Sequence, residues 1–264
     1  MIHPTAVIHP NAQVDSTAAV GPCAVIDEHV IIGPGCKIAA HAYVTGHTTL
    51  AENNVVHSGA VIGDAPQDLR YKDEPTRLRI GNNNTFREHV TIHRSNKLSE
   101  DTVIGSGNYF MASSHVGHNC ILGDDNILAN GAVLGGHVTI ADRVFISATC
   151  MIHQFVRIGT LALMQGGSGI SKDLPPFTIA KGNNGICGLN VIGMRRAGLN
   201  AEQRLELKKL YHVLFRSEKL FRQALEEAQQ TFTSDAARVM LDFVSASKRG
   251  VCLDAGRGSD SESE

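Results

Sequence analysis

Every sixth residue of this chain is a large apolar side chain, and the interval holds over most of its length. From Ile2 the series runs Ile8, Val14, Val20, Ile26, Ile32, Ile38, Val44, Leu50, Val56 and Ile62. It resumes at Ile80, Phe86 and Ile92. It then runs from Ile104 through Phe110, Val116, Leu122, Leu128, Leu134, Ile140, Ile146, Ile152 and Ile158 to Met164 and Ile170. A period this persistent sets the architecture before any local propensity does. Six residues per repeat predict short flat strands joined by tight corners, three strands to a coil, stacked into a parallel β-helix.

Each opening residue should point into the prism. The small residue four places on (Ala6, Ala12, Ala18, Ala24, Cys36, Ala42, Ala60, Ala132, Ser168) should fill the narrow interior near a corner. One hexad buries almost nothing alone, so the stack is stable only as an array. Neighbouring coils are expected about 4.8 Å apart. These positions are scaffold. The composition agrees: tryptophan is absent and aromatics make up 5% of the 264 residues, as a thin interior requires.

A net charge of −2 gives no global field for nucleic acid or an anionic membrane. The six cysteines (Cys23, Cys36, Cys120, Cys150, Cys187, Cys252) form no C-x-x-C pair, and several take the small-residue position. They read as buried, reduced thiols of a cytoplasmic protein. No stretch approaches the roughly 18 apolar residues of a membrane span, so no transmembrane segment is expected. Met1 leads straight into the repeat, which leaves no room for a signal peptide.

The period ends near Asp173. Residues 1–190 are expected to form the β-helix, 191–250 a helical region and 251–264 a disordered tail, rich in serine, acid and glycine from Gly256. Asn200 and Gln203 form a capping pair for a helix carrying Leu207, Leu210, Tyr211, Leu214, Phe221 and Leu225 at three- and four-residue spacing. A second helix begins near Ser234 and carries Val239, Met240, Phe243 and Val244. Two such helices need other surfaces to pack on: each other, the β-helix and a neighbouring subunit.

The repeat breaks twice, at 65–79 and near 95–103. Chemistry belongs where a rigid scaffold stops repeating. The first break brings together Gln67, Asp68, Arg70, Lys72 and Arg77, in a segment that otherwise reads as a solvated loop. Hexads three apart share a face, so those opening at Val116, Leu134 and Ile152 stack. They carry His118, His137, and His153 with Gln154. If the second break loops out, the hexad of Ile92 lies beneath and adds His93. The same face then continues to His47, His29 and His9, placing seven of the 13 histidines on one edge. His115 closes the preceding rung. If Leu98 to Val103 forms a rung instead, His93 and everything below turn to another face. Isolated histidines such as His3, His9, His29 and His41 read as solvated turn residues. A stacked set supports general-base chemistry near neutral pH. The competing chemistry is zinc held by three imidazoles, for which His115-x-x-His118 is a weak signal.

Six ordered motifs carry a resemblance. They are Q-D-L-R-Y at 67–71 with E-P-T-R at 74–77, T-I-H-R at 91–94, S-H-V-G-H-N-C at 114–120, G-G-H-V at 135–138, I-H-Q-F at 152–155 and N-x-x-G-x-x-R at 190–196. Across about residues 2 to 250 the chain resembles the acyl-[acyl-carrier-protein]–UDP-N-acetylglucosamine O-acyltransferase family, which performs the first step of lipid A biosynthesis. The resemblance implies a homotrimer of left-handed parallel β-helices with sites in the clefts between neighbours. It implies transfer of a 3-hydroxyacyl group from acyl carrier protein to the 3-hydroxyl of the UDP-sugar, without a cofactor or metal. His118 matches the general base, and the backbone N–H of Gly136 the oxyanion donor. Asp68 and Arg70 match positions that hold the sugar, and Gln67 beside them is counted among the substrate-binding residues. His93, His115, His137, His153 and Gln154 match substrate-lining positions, and Asn190 and Arg196 nucleotide and phosphate contacts. Gly166 matches the position that limits acyl length, where glycine leaves the groove open.

Four residues depart from the family pattern: Asn119 for the aspartate after the base, Arg70 for a lysine, Ile192 for an acid and Ala197 for the second arginine of a pair. Two other readings remain at this point. One is a hexapeptide-repeat N-acyltransferase acting on an amino-sugar nucleotide; the other is a non-enzymatic trimeric scaffold or degenerate metal site. Arg195, Arg196, Lys208, Lys209, Arg216 and Lys219 are candidates for docking an acidic carrier protein, or else, where they lie on the helix, form its solvated side.

Overall fold

Short strands build three walls in rotation: Val7–Ile8 belongs to the first sheet, Gln13–Val14 to the second and Ala19–Val20 to the third. The computed structural model describes residues 1–256. Its three sheets have nine, eight and eleven strands, and within the repeats each strand pairs in parallel with the corresponding strand of the next coil. Val7 lies beside Val25 and Ile8 beside Ile26, with the same register above. This is the parallel β-helix expected from the hexads, of the left-handed kind that the resemblance implies.

From Val20 onward the opening residues face inward and are buried, whereas Ile2, Ile8 and Val14 of the first coil are open or half-buried; Val44, Ile62, Phe86, Ile92, Val116 and Leu134 are all fully enclosed. Each contributes about 1.5–3 kcal/mol relative to an exposed side chain. The aromatic openers Phe86 and Phe110 occupy adjacent coils, with ring centroids 4.9 Å apart and planes 12° from parallel. Corners turn through a left-handed residue, which in many coils is not glycine: His41, Asn53, His89, Asn119, His137 and Phe155 all have φ between 57 and 66°. Asparagine and histidine tolerate that region better than most side chains. Coils above and below hold the others in it.

Four asparagines occupy the small-residue position where the second sheet turns into the third. Asn84 Nδ2 donates to Asn54 Oδ1 and Asn108 Nδ2 to Asn84 Oδ1, each at 3.0 Å. The backbone N–H groups of Asn84, Asn108, Asn126 and Val144 also donate to the amide oxygen one coil below. The ladder exchanges buried apolar contact for hydrogen bonds between coils, a substitution the apolar period does not reveal. Cys36, Cys120 and Cys150 fill the same kind of position elsewhere, their thiols 3.0–3.1 Å from carbonyl oxygens. Cys23 and Cys187 are exposed, so the expectation of six buried thiols fails for these two. Cys23 is itself a left-handed corner residue, outside the prism.

Both interruptions leave the prism at the corner between the first and second sheets. The first strand run ends at Asp64 and the chain returns at Arg77, so the loop is 65–76. Arg77 and Arg79 lie in the returning strand, their Nε atoms 2.7 and 2.5 Å from the Asp101 carboxylate. The second loop is 94–100, because Asp101–Ile104 is already a strand, paired with Arg77–Ile80. Thr102 and Ile104 point inward there, which rules out a rung over Leu98 to Val103. Ile92 therefore lies directly between Ile62 and Val116. The first sheet runs unbroken from Ile8 to Ile170, as the looped-out alternative requires.

Beyond Ile170 the third sheet continues as an antiparallel hairpin of Thr178–Lys181 and Gly185–Leu189. Four helices follow: α1, Val191–Arg196; α2, Ala201–Tyr211; α3, Phe221–Thr231; and α4, Asp235–Ser245. The Asn200–Gln203 capping box forms in both directions, at 2.9 Å each. The single helix expected from Asn200 through Leu225 is instead two, because a π turn at His212–Arg216 shifts the register and Ser217 is extended. Phe215 and Phe221 still meet across the break, with centroids 6.0 Å apart. The tail expectation needs correction. Val251 and Cys252 are buried, and Leu253–Asp254 adds a strand beside Gly185–Leu189. The Asp254 carboxylate accepts bonds from Tyr211 Oη at 2.5 Å and Arg216 Nε at 2.8 Å, which anchors the segment. The remainder of that tail, residues 257–264, lies outside the described residues. Among the described residues no helix is long and apolar enough to cross a membrane.

Asn84→Ala should lower stability by about 3 kcal/mol, because the buried backbone N–H and Nδ2 of Asn108 both lose their acceptor while Asn54 Oδ1 keeps only the residue-84 N–H. The measurement is the urea midpoint at fixed protein concentration.

Candidate active site

The corner between the first and second sheets stacks three equivalent turns. Their first residues are His118, Gly136 and Gln154, and their second residues, all left-handed, are Asn119, His137 and Phe155. The turns are tied vertically: His137 N–H donates to the His118 carbonyl at 2.8 Å, and Phe155 N–H to that of Gly136 at 3.1 Å. His118 is only 8% exposed. Its ring meets that of His137 edge-on, with centroids 5.1 Å apart. His137 in turn stacks on Phe155 at 4.6 Å. One coil down, His93 meets His115 at 4.8 Å. His115 Nδ1 lies 2.7 Å from Thr91 Oγ1.

Which His118 nitrogen carries the proton follows from its neighbours. Nδ1 is 2.9 Å from Asn119 Oδ1. The Asn119 amide has one satisfactory orientation, since Nδ2 donates to Glu100 Oε2 at 2.9 Å and Ser95 Oγ at 2.8 Å, while Oδ1 accepts from Asn96 N–H at 3.0 Å. An ionised carboxylate only accepts and a backbone N–H only donates. The Asn119 oxygen therefore faces the ring, Nδ1 holds the proton, and Nε2 of the neutral imidazole keeps its lone pair. That edge of the ring lies against Gly136. A methyl group on Gly136 would sit 2.6 Å from His118 Nε2 and Cε1, so glycine here is a matter of space. Among the described residues the Gly136 N–H has no acceptor.

The two loops close over this corner. Asn96 Nδ2 donates to Asp68 Oδ2 at 2.9 Å, so a continuous chain of bonds runs from Asp68 through Asn96 and Asn119 to His118. Arg94 pins the first loop. Its guanidinium donates to Tyr71 Oη, the Gly63 carbonyl and Asp73, at 3.0–3.1 Å. Bonds from the Arg70 N–H, the Asn96 amide and the Arg70 guanidinium hold the Asp68 carboxyl down to about 2. Burial, then the neighbouring His115, pushes His93 down to about 4. Burial and the nearby His118 also lower His115 and His137. The site thus keeps these imidazoles neutral.

Other expected residues lie outside this cluster or, like Gln154, on its exposed margin. Gln67 and Arg70 are exposed on the first loop, with Arg70 Nε 3.3 Å from Asp68. His153 and Gln154 are exposed, and His153 Nδ1 is 3.1 Å from the Gln154 carbonyl and 3.4 Å from the Arg249 guanidinium. The edge of seven histidines divides into groups, with His29 and His47 stacked on each other at 4.2 Å well below His118. Gly166 lies at the corner between the third and first sheets, where an added methyl would touch only the Ala148 carbonyl, at 3.5 Å. Asn190 caps α1: Oδ1 accepts from Gly193 N–H, and Nδ2 donates to the Leu161 carbonyl, both at 2.9 Å. A Cβ at Gly193 would lie 2.3 Å from the Asn190 amide, which accounts for that glycine in the N-x-x-G motif. Arg196 is exposed in the last turn of α1. Ser95, Asn96, Glu100 and Thr102 escaped the sequence reading; the break in period marked their segment but not their contacts. Among the described residues no three His, Cys, Asp or Glu side chains converge closely enough to hold a metal ion.

A three-walled coil stack built on a six-residue period defines a hexapeptide-repeat protein. The family profile described as bacterial transferase hexapeptide (six repeats) matches residues 101–136. A second, described as UDP N-acetylglucosamine O-acyltransferase, domain 2, matches residues 173–252. The acyl-[acyl-carrier-protein]–UDP-N-acetylglucosamine O-acyltransferase of Anaeromyxobacter sp. (strain Fw109-5) is 46% identical over 254 residues, 95% of this chain and 98% of that one. The protein of the same name from Burkholderia orbicola (strain MC0-3) is 43% identical over 257 residues, with the same coverage. The UDP-N-acetylglucosamine acyltransferase structure from Francisella novicida superposes with a TM-score of 0.93 at 32% identity, covering 97% of this chain and 95% of that one. That from Moraxella catarrhalis RH4 gives 0.90 at 35% identity, covering 95% and 99%. The chain belongs to the acyl-[acyl-carrier-protein]–UDP-N-acetylglucosamine O-acyltransferase family of enzymes.

Because His93 binds its proton near 4 when folded and near 6.5 when unfolded, the unfolded chain is favoured as pH falls between those values. Stability should be fully present above about 6.5 and decline toward 4. In His93→Gln, the melting temperature should fall less steeply across that window than in the parent.

Proposed function

We propose that this protein transfers a 3-hydroxyacyl group from the thioester of acyl carrier protein to the 3-hydroxyl of UDP-N-acetylglucosamine, the first step of lipid A biosynthesis. The observation that carries the mechanism is the placing of the Nε2 edge of His118, turned away from the Asn119 bond, against the backbone of Gly136. Nε2 takes the sugar hydroxyl proton as that oxygen attacks the thioester carbonyl carbon. The carbonyl electrons move onto its oxygen, where the Gly136 N–H donates to the developing charge. When the tetrahedral intermediate collapses, the carbon–sulfur bond breaks and the leaving sulfur takes the proton from His118. A positioned base contributes about 10²–10⁴-fold and a fixed oxyanion donor about 10²–10³-fold.

Asp68, ionised at neutral pH and held in place by Asn96, is suited to accept hydrogen bonds from sugar hydroxyls. Arg70, exposed beside it, would reach the sugar from the loop with Gln67. His93, His115 and His137, held neutral, would present uncharged donors and acceptors to substrate. His153, Gln154, Asn190 and Arg196 belong to the same reading as contacts to the donor and the nucleotide. Since no described contact joins Asn190, Arg196 or Gly166 to the His118 group, their part is best supplied across a subunit boundary, in a homotrimer. Gly166 leaves its groove open for the acyl chain. Arg195, Lys208 and Lys209 are exposed, with no carboxylate partner among the described residues, and would face the acidic carrier protein. Arg216 and Lys219, by contrast, pair with Asp254 and Glu227. The cytoplasm, where carrier protein and UDP-sugar meet, is the proposed location.

The test is incubation with 3-hydroxyacyl carrier proteins of several chain lengths and UDP-N-acetylglucosamine or its 3-amino analogue, read by mass spectrometry. A 3-O-acyl product is expected, and His118→Ala should lower kcat by about 10³-fold. Gly136→Ala should also lose most activity, because its methyl displaces the His118 ring. Product from the amino sugar alone, or equal activity in His118→Ala, overturns the reading.

A further inference from the structure

We infer that Glu100 is a positioning residue for His118, acting through the Asn119 amide. This rests on the acyl-transfer reading above and concerns what replaces a carboxylate beside the base. An asparagine is neutral and two-faced. With its oxygen toward His118, the ring carries its proton on Nδ1 and leaves Nε2 free; with its nitrogen there, the proton moves to Nε2 and the base is lost.

The second loop removes that ambiguity. Both Asn119 Nδ2 hydrogens are engaged, one on Glu100 Oε2 at 2.9 Å and one on Ser95 Oγ at 2.8 Å, and Oδ1 also accepts the Asn96 N–H. Turning the amide over would set Oδ1 against the Glu100 carboxylate and Nδ2 against a backbone donor. Lys97 Nζ, 3.0 Å from Glu100 Oε1, takes the other carboxylate oxygen, and with the hydrogen bond it makes keeps the group ionised. His137 Nδ1 is 3.7 Å from Oε2. Ser95 Oγ itself donates to the Lys97 carbonyl, so the loop organises its own support.

When Nε2 takes the substrate proton, positive charge spreads to Nδ1. The Asn119 oxygen answers it more strongly because a carboxylate polarises the amide from its other end. The carboxylate is thus one bond further from the ring, on a loop, with an amide conducting its effect.

The prediction is a pattern across three variants of the full chain, assayed with the acyl carrier protein donor and UDP-N-acetylglucosamine. Glu100→Gln should lower kcat roughly tenfold or more while KM for the sugar nucleotide stays within about threefold. Asn119→Asp alone should also be impaired, because two carboxylates would then face each other. Combining Glu100→Gln with Asn119→Asp exchanges amide and carboxylate, and should recover kcat to within about threefold of the parent. Unchanged kcat in Glu100→Gln, or a double variant no better than the worse single, overturns the inference. A parent that yields no product at all refutes the acyl-transfer reading instead. The relay is then judged by the ¹⁵N shifts of the His118 ring: a single Nδ1–H tautomer in the parent that becomes mixed in Glu100→Gln supports it, and no difference rejects it.

Discussion

Vertical pairing between coils is the constraint on which the rest of the molecule depends. Each two-residue strand is too short to persist alone and acquires its hydrogen bonds only from the coils above and below. The same pairing buries the column of openers, locks non-glycine corners into left-handed geometry and allows four asparagines to bond through the interior. It also makes side chains at one place in the hexad vertical neighbours, which is why Asn119, His137 and Phe155 share a corner.

The corner becomes chemical because the repeat fails there twice. A closed coil would leave His118 on an open edge. The inserted loops instead cover it, so that its imidazole is nearly enclosed while Nε2 still faces the Gly136 backbone. Burial then holds His93, His115 and His137 neutral, and the Asp68 carboxylate is anchored by a residue of the opposite loop. Scaffold and site have divided the work: coils supply spacing, and loops supply polarity and enclosure.

The stacking of His118, His137 and Gln154 was legible because a strict period converts residue number into position. His93 was legible only conditionally, since Leu98 to Val103 imitates a hexad until Thr102 is seen pointing inward. The tail was misread because composition registers serine and acid, whereas Val251 and Cys252 are placed by Asp173, and Leu253 and Asp254 by the sheet edge that the strand at 185–189 provides. Cys23 escaped the buried-thiol rule by standing at a corner rather than in the column. Asn190 appeared in the sequence as part of a motif; the fold gives its amide a capping duty as well.

Sequence alone determined the three-walled stack, its vertical faces and the residues that could carry proton transfer, because each depends on a local period repeated with little error. Tertiary structure alone decided which histidine nitrogen is free, how Asn119 is turned and that Glu100 stands behind it. Those facts depend on where two aperiodic loops settle, and no periodicity encodes the meeting of Asp68, Asn96 and Glu100 over a single corner.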